Sequence, residues 1–216
     1  KGFNTDYVNQ QKSKEMLCQC LNLQWRVLAM ALTKYKLGDL ITLSEEKNSE
    51  NKYGIGDVKG ASIRKVFIET KANMSGVSLT PYLVVKPDYF AYVPVTSRNG
   101  NKITIAHNET EDTYIVSSSY IVFYVSSTDI LDSDFLFMYF NRPEFDRYSR
   151  YHSWGSAREV FSWNEMCAIE INLPSIDIQR KYVAVFKALL ANNNGTEDIA
   201  EICPILIKGA IKEGGR

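Results

Sequence analysis

Between residues 66 and 125 the chain is cut into short runs of β-branched and aromatic residues, each closed by turn formers. The runs are 66–69, 82–85, 90–93, 102–107, 114–118 and 120–125. Runs of this length and make-up read as strands of a sheet. The turn "SRNGN" (97–101) holds Asn-Gly, the strongest short hairpin signal. The run after it, "KITIAH", alternates Ile103 and Ile105, and the next turn, "HNETED", is acidic. Leu40, Ile41 and Leu43 add an extended segment ahead of the polar loop "SEEKNSENKY" (44–53).

Both flanks switch to helical spacing. Leu17, Leu21, Trp25, Leu28 and Leu32 recur every three or four residues, which predicts a helix over 12–34. After the strands, Asp134 is placed to cap "FLFMYFN", and Pro143 suits the first position of a second helix, "PEFDRYSRY". A strand, "CAIEINL", leads to Pro174. Ser175 or Asp177 then caps a helix that carries Ile178, Tyr182, Val185, Phe186 and Leu189 on one face and ends at "NNNG". Residues 196–212 are helix-prone but interrupted by Pro204. With no internal repeat and no low-complexity linker, this is one α+β domain: a strand-rich, twisted mixed sheet with helices at both ends.

The chain has 216 residues, 45% of them hydrophobic, enough for a real core. No run of 18 or more apolar residues predicts a membrane span, and the polar start "KGFNTDYVNQQKSKE" lacks the apolar stretch of a signal peptide. Cys18, Cys20, Cys167 and Cys203 show neither zinc-finger spacing nor a disulfide framework. They read as reduced thiols in a cytoplasmic protein.

Lys plus Arg equal Asp plus Glu, 25 each, which argues against a tail-driven nucleic-acid binder but allows a local basic face. Lys59, Arg64, Lys65 and Lys71 stand against the single acid Glu69. The hairpin tip adds Arg98, Asn99 and Lys102, and the second helix and its sequel add Arg142, Arg147, Arg150 and Arg158. The acids gather elsewhere, in 45–57 and 109–112. If the basic segments converge, they neutralise several phosphates. Arg98, Asn99 and Arg158 carry the directional donors that read base edges.

The segment "YHSWGSAREVFSW" (151–163) follows the arginines. Phe161 and Trp163 are expected to anchor its exit in the core. Gly155, Ser156 and Ala157 are expected to keep its tip thin for backbone approach to a groove or phosphate. Arg158, Ser153 and Ser156 would supply donors beside Trp154. The candidate DNA-contacting set is therefore Lys59, Arg64, Lys65, Arg98, Asn99, Lys102, Arg147, Arg150, Ser153, Trp154, Ser156 and Arg158. Charge alone leaves a plain solvated face open as well.

Catalytic signals are sparse. His107 and His152 have no triad or metal-ligand spacing around them and read as structural. "YGIGDVKG" lacks the Lys-Ser/Thr ending of a phosphate loop, and "LTPY" lacks the Asn of an adenine-methyltransferase motif. Asp57, Glu69 and Lys71 mimic the Asp…Glu-x-Lys arrangement of magnesium-dependent nucleases, a pattern frequent by chance in charged strands. No catalytic or metal-ligating residue is assigned.

Taken in order, several stretches resemble a target recognition domain of a type I restriction–modification specificity subunit. "YKLGDLITLSEEKN" looks like its beginning. "VSLTPYLVVKPDYFAYVPVTSRNGNKITIAHN" and "YIVSSSYIVFYV" look like its central strands. "DFLFMYFNRPEFDRYSRYHSWGSAREVFSW" looks like its helix pair and loop, and "IEINLPSIDIQRKYVAVFKAL" like its exit, with Leu173, Pro174 and Gln179 matching. The similarity spans roughly 36–191. It implies a non-catalytic subunit that reads one half of a split duplex-DNA target. Partner methyltransferase subunits would bring S-adenosylmethionine, and a motor–nuclease subunit would bring ATP and magnesium, so the chain itself needs no cofactor.

The implied division is an N-terminal helical segment (1–35), a DNA target recognition domain (36–174) and a C-terminal helical dimerisation or spacer segment (175–216). Ile178, Tyr182, Val185, Phe186 and Leu189 would then face a partner helix as in a coiled coil, or else pack on their own domain. A full specificity subunit carries two recognition domains and this chain carries one. A homodimer or a second recognition domain is therefore expected. The alternatives are a stand-alone nuclease built on Asp57, Glu69 and Lys71, or a protein-interaction domain without nucleic acid.

Overall fold

A computed structural model describes residues 32–70, 72–97, 102–156, 158–192 and 203–208. Its elements are β1 (Thr33–Lys36), β2 (Ile41–Ser44), β3 (Lys59–Ala61), β4 (Phe67–Glu69), β5 (Leu83–Val85), β6 (Phe90–Tyr92), β7 (Ile105–His107), β8 (Tyr114–Val116), β9 (Ile121–Val125), α1 (Ser133–Phe140), α2 (Pro143–Tyr151), α3 (Trp163–Cys167), β10 (Glu170–Leu173) and α4 (Ile176–Asn192). The class is α+β, as expected. Among the described residues no helix is long and apolar enough to cross a membrane.

The central sheet runs β2-β9-β6-β7, and its ladders are antiparallel, with Ile41 opposite Val125 and Phe90 opposite both Phe123 and His107. The smaller pairs β1-β10, β3-β4 and β5-β8 are antiparallel too. Among the described residues the ladders are antiparallel where a mixed sheet was expected, and the parallel contact there is a single bridge, Val58 to Ile115. The sequential pairs β3-β4 and β6-β7 are too closely connected for the crossover that a parallel pair needs, while the other pairs bring together strands far apart in the chain.

Alternation along the strands buries both faces of the sheet. Phe90, Tyr92 and Phe123 point to the main core, where Phe90 stacks on Phe123 with ring centroids 5.0 Å apart and Phe140 meets it edge-on. Ala91 and Val122 point the other way, against Val85 and Val116 of the β5-β8 pair. Helix α1 is buried nearly all round (Phe135, Leu136, Phe137, Met138 and Phe140), which accounts for its lack of a polar face.

Several local expectations change. The cap of α1 is Asp132, whose carboxylate accepts from the Phe135 amide at 3.1 Å. Asp134 lies inside the first turn and holds Lys187 at 2.6 Å instead. Thr33 and Lys34, expected as the end of a helix, belong to β1 and pair with Leu173 and Asn172; residues 12–31 of that helix, with Cys18 and Cys20, lie outside the described residues. The pairing joins the two ends of the domain. Helix α3, capped by Ser162, precedes β10 and takes in Cys167, which was expected to begin the strand. Its Cys167 packs so closely on Gly38 that a Cβ there would stand 2.7 Å from the Cys167 Cβ.

Helix α4 corrects the partner-helix assignment. Ile178, Tyr182 and Phe186 are 7%, 4% and 3% exposed in the main core, and Val185 and Leu189 pack against that core half-buried. Their apolar face is consumed by the chain's own sheet and α1. Gln179, fully buried, explains the polar residue in this face. Its Nε2 donates to the carbonyls of Ile130 (2.7 Å) and Pro174 (2.9 Å), and its Oε1 accepts from the Asp132 amide at 3.0 Å. It fastens the start of α4 to the cap of α1.

Candidate nucleic-acid interface

The loop after α2 is closed by its own backbone. Trp154 and Val160 exchange both amide–carbonyl hydrogen bonds, at 3.1 and 2.9 Å. The tip between them turns at Gly155, whose φ is +137° and where a Cβ would stand 2.2 Å from the Arg158 carbonyl oxygen. Gly155 is therefore required by the loop's own closure, not by thinness toward a ligand as the sequence suggested. Phe161 is fully buried and Trp163 packs near Phe123, so the exit is anchored as expected.

This loop lies along the β6-β7 connection. The Phe161 amide donates to the Pro94 carbonyl (2.8 Å), the Thr96 amide to the Glu159 carbonyl (2.9 Å) and the Thr96 hydroxyl to Ser153 Oγ (2.9 Å). The described start of the β6-β7 connection, Pro94 to Thr96, is thus laced to the loop. Residues 98–101, including Arg98 and Asn99, lie outside the described residues, but β6 and β7 on either side pair as the Asn-Gly turn implied.

Asp146 of α2 joins the third segment. Its carboxylate accepts from the Lys65 ammonium at 2.8 Å and from the Ile103 amide at 3.2 Å. Lys65 also donates to the Phe140 carbonyl at 2.5 Å and sits at the turn between β3 and β4 with φ +63°. Burial pulls the Lys65 pKa down, and the Asp146 charge works against that pull. The β3-β4 hairpin, the β6-β7 connection and α2 all meet at one carboxylate. Of the three basic segments picked out in the sequence, the described parts that meet there are the β3-β4 turn at Lys65, Ile103 beside Lys102, and α2.

Their side chains divide into two groups. Arg64, Lys102, Arg147, Arg150, Ser156 and Arg158 are exposed, and so are Trp154 (64%) and Tyr151 (75%). Arg150 pairs with Glu159 at 2.5 Å and Arg147 lies 3.7 Å from Glu144, so both already face a carboxylate. Lys59 is mostly covered and pairs with Glu69, its opposite residue in the β3-β4 ladder. Two candidates must be withdrawn. Lys65 is 3% exposed and held by Asp146, and Ser153 is buried with its hydroxyl donating to the Ser149 carbonyl at 2.6 Å. Both build the platform and neither faces outward.

Asp146 was missed in the sequence. Asp146 stands beside Phe145 and three residues before Ser149, all on the buried stripe of α2. An acid on an inward stripe needs a basic partner, and that was the available signal. The nuclease pattern gains nothing. Asp57 accepts from the Gly54 amide at 2.8 Å, Glu69 pairs with Lys59, and Lys71 lies outside the described residues.

No family model matches the sequence, and no curated protein does. Solved structures do match. The HsdS subunit from Thermoanaerobacter tengcongensis superposes with a TM-score of 0.55 at 17% identity, over 75% of this chain and 43% of that one. A chain from a structure concerned with complex assembly and conformational transition of the type I R-M system superposes with a TM-score of 0.54 at 16% identity, over the same shares. The chain spans less than half the length of these proteins. Its fold is that of the target recognition domain of type I restriction–modification specificity subunits.

Proposed function

We propose that this chain is a sequence-specific DNA recognition module of a type I restriction–modification system. The observation that carries the reading is that the β3-β4 turn, the residues beside Lys102 and α2 meet at Asp146, while α2 and the loop after it expose Tyr151, Trp154 and Arg158. Arginines and lysines on such a platform position a duplex through its phosphates, and Arg158 at the loop tip has the donor geometry for a base edge. The module is non-catalytic. It directs partner methyltransferase and motor–nuclease subunits, which bring S-adenosylmethionine, ATP and magnesium, to one half of a split target. The other half falls to a second recognition domain, from another copy or another chain. Because the apolar face of α4 is occupied, any helix partner meets α4 on its outer side.

Methylome sequencing of cells with and without the gene tests this directly. A methylated split motif that disappears with the gene is the expected result, together with a salt-sensitive shift of DNA by the assembled methyltransferase. An unchanged methylome with no such shift would end the proposal. Cutting of DNA by the purified chain with magnesium, abolished by Glu69→Ala, would favour the nuclease instead.

A further inference from the structure

At the opposite end of the β6-β7 hairpin from the DNA-facing loop, His107 is enclosed in an unusual setting. Its ring is fully buried, stacked on Phe90 at 4.4 Å and tilted against Phe137. Neither ring nitrogen reaches a hydrogen-bond partner among the described residues. Yet Nδ1 is aimed between two carboxylates, 3.7 Å from Asp134 Oδ1 and 3.9 Å from Glu109 Oε1. A third, Asp88 Oδ1, stands 3.7 Å from Nε2. A buried imidazole with both nitrogens unsatisfied is costly unless something completes it.

We propose that His107, Glu109 and Asp134 bind a divalent transition-metal ion of the zinc class. The three donor atoms lie within 4.8 Å of one another. Metal–donor bonds of about 2.0–2.2 Å put tetrahedral donors about 3.4 Å apart, so the two distances from the imidazole need close by only about 0.3–0.5 Å and the widest donor separation by up to about 1.4 Å, a movement open to the exposed Glu109 side chain. One imidazole with two carboxylates suits zinc, cobalt or nickel better than calcium or magnesium, which take oxygen ligands. Asp88 beside Nε2 has the place of the carboxylate that orients a metal-bound histidine from behind. Lys187 holds Asp134 through Oδ2 and leaves Oδ1 toward the imidazole. The ion would pin the acidic turn after β7 to the first turn of α1, a structural clamp independent of the DNA reading.

The probe is Zn2+ added to the purified full chain carrying Cys18→Ser and Cys20→Ser, which removes the C-x-C pair as a competing ligand. With two histidines in the chain, a His152→Gln variant assigns both imidazole NMR signals. Expected is uptake of one ion per chain with saturable movement of the His107 signals. Glu109→Gln, an exposed change that leaves metal-free stability intact, should weaken uptake at least about 10-fold, and Asp134→Asn likewise. Still His107 signals at saturating Zn2+, or an affinity unmoved by both substitutions, would overturn the site whatever the DNA experiments give.

Discussion

The Lys65 ammonium lies 2.8 Å from the Asp146 carboxylate, and the two side chains are 4% and 10% exposed. A buried pair of this kind adds little over a well-packed apolar pair, but removing one partner strands the other's charge. Asp146→Ala should therefore cost about 3–5 kcal/mol of stability and also orphan the Ile103 amide. Lys65→Met should cost a similar amount, and the double variant Lys65→Met/Asp146→Leu should recover much of the loss. Denaturant unfolding of the three variants checks this. Additive losses in the double variant would contradict it.

The same pair carries a pH dependence. Burial holds the folded-state pKa of Lys65 below its usual 10.5, with Asp146 opposing and Lys102 adding to the fall. Between that lowered value and 10.5 the unfolded chain binds more protons at this site than the folded one, so this group's contribution to stability rises with pH through that window. Below the window the full cost of burying the ammonium is present. The stability of the native chain relative to Lys65→Met should shift in the native chain's favour as pH climbs from neutrality toward 10.5. A difference that stays flat over that range would count against the buried ammonium.

The strands were legible because their period is local. Phe90 and Tyr92 against Ala91, or Phe123 against Val122, announce the two faces before any partner is known. Thr33 and Lys34 were misread because only β10, far along the chain, makes them strand. In α4 the apolar stripe was visible but its target was not, since periodicity shows that a face is buried and not against what. The basic segments were visible as charge. That Lys65 and Ser153 point inward depends on Asp146, Phe140, Ser149 and Thr96 closing around them, which is tertiary information. Gly155 was noticed as small, but its positive φ is set by the Trp154–Val160 closure.

Gln179 offers a cleaner test of packing. It satisfies the carbonyls of Ile130 and Pro174 and the amide of Asp132, all where α4 meets the cap of α1. Gln179→Leu keeps the volume and abandons those groups. With unsatisfied buried polar atoms costing about 1–3 kcal/mol each, partly offset by relaxation, a loss of about 2–4 kcal/mol is expected. Gln179→Glu should also destabilise, because a carboxylate cannot donate to two carbonyls. Thermal or denaturant unfolding decides, and a Leu variant as stable as the parent would mean that these backbone groups find other partners.

The loop tip separates folding from reading. Trp154→Ala removes an exposed ring while keeping the backbone pairing to Val160, so stability should change by no more than about 0.5 kcal/mol. Gly155→Ala forces a side chain into the Arg158 carbonyl and an unfavourable φ, at about 1–3 kcal/mol. It should speed amide exchange and proteolysis at residues 154–160 and leave the sheet protected. Arg158→Ala should leave folding alone yet weaken DNA binding by the assembled methyltransferase by about 1–3 kcal/mol and relax one target position. Arg64→Ala should instead weaken all sequences alike and lower the salt slope by about one. Measured together, the variants distinguish a base contact at Arg158 from a phosphate contact. If Arg158→Ala behaves like Arg64→Ala, the tip positions the duplex without reading it.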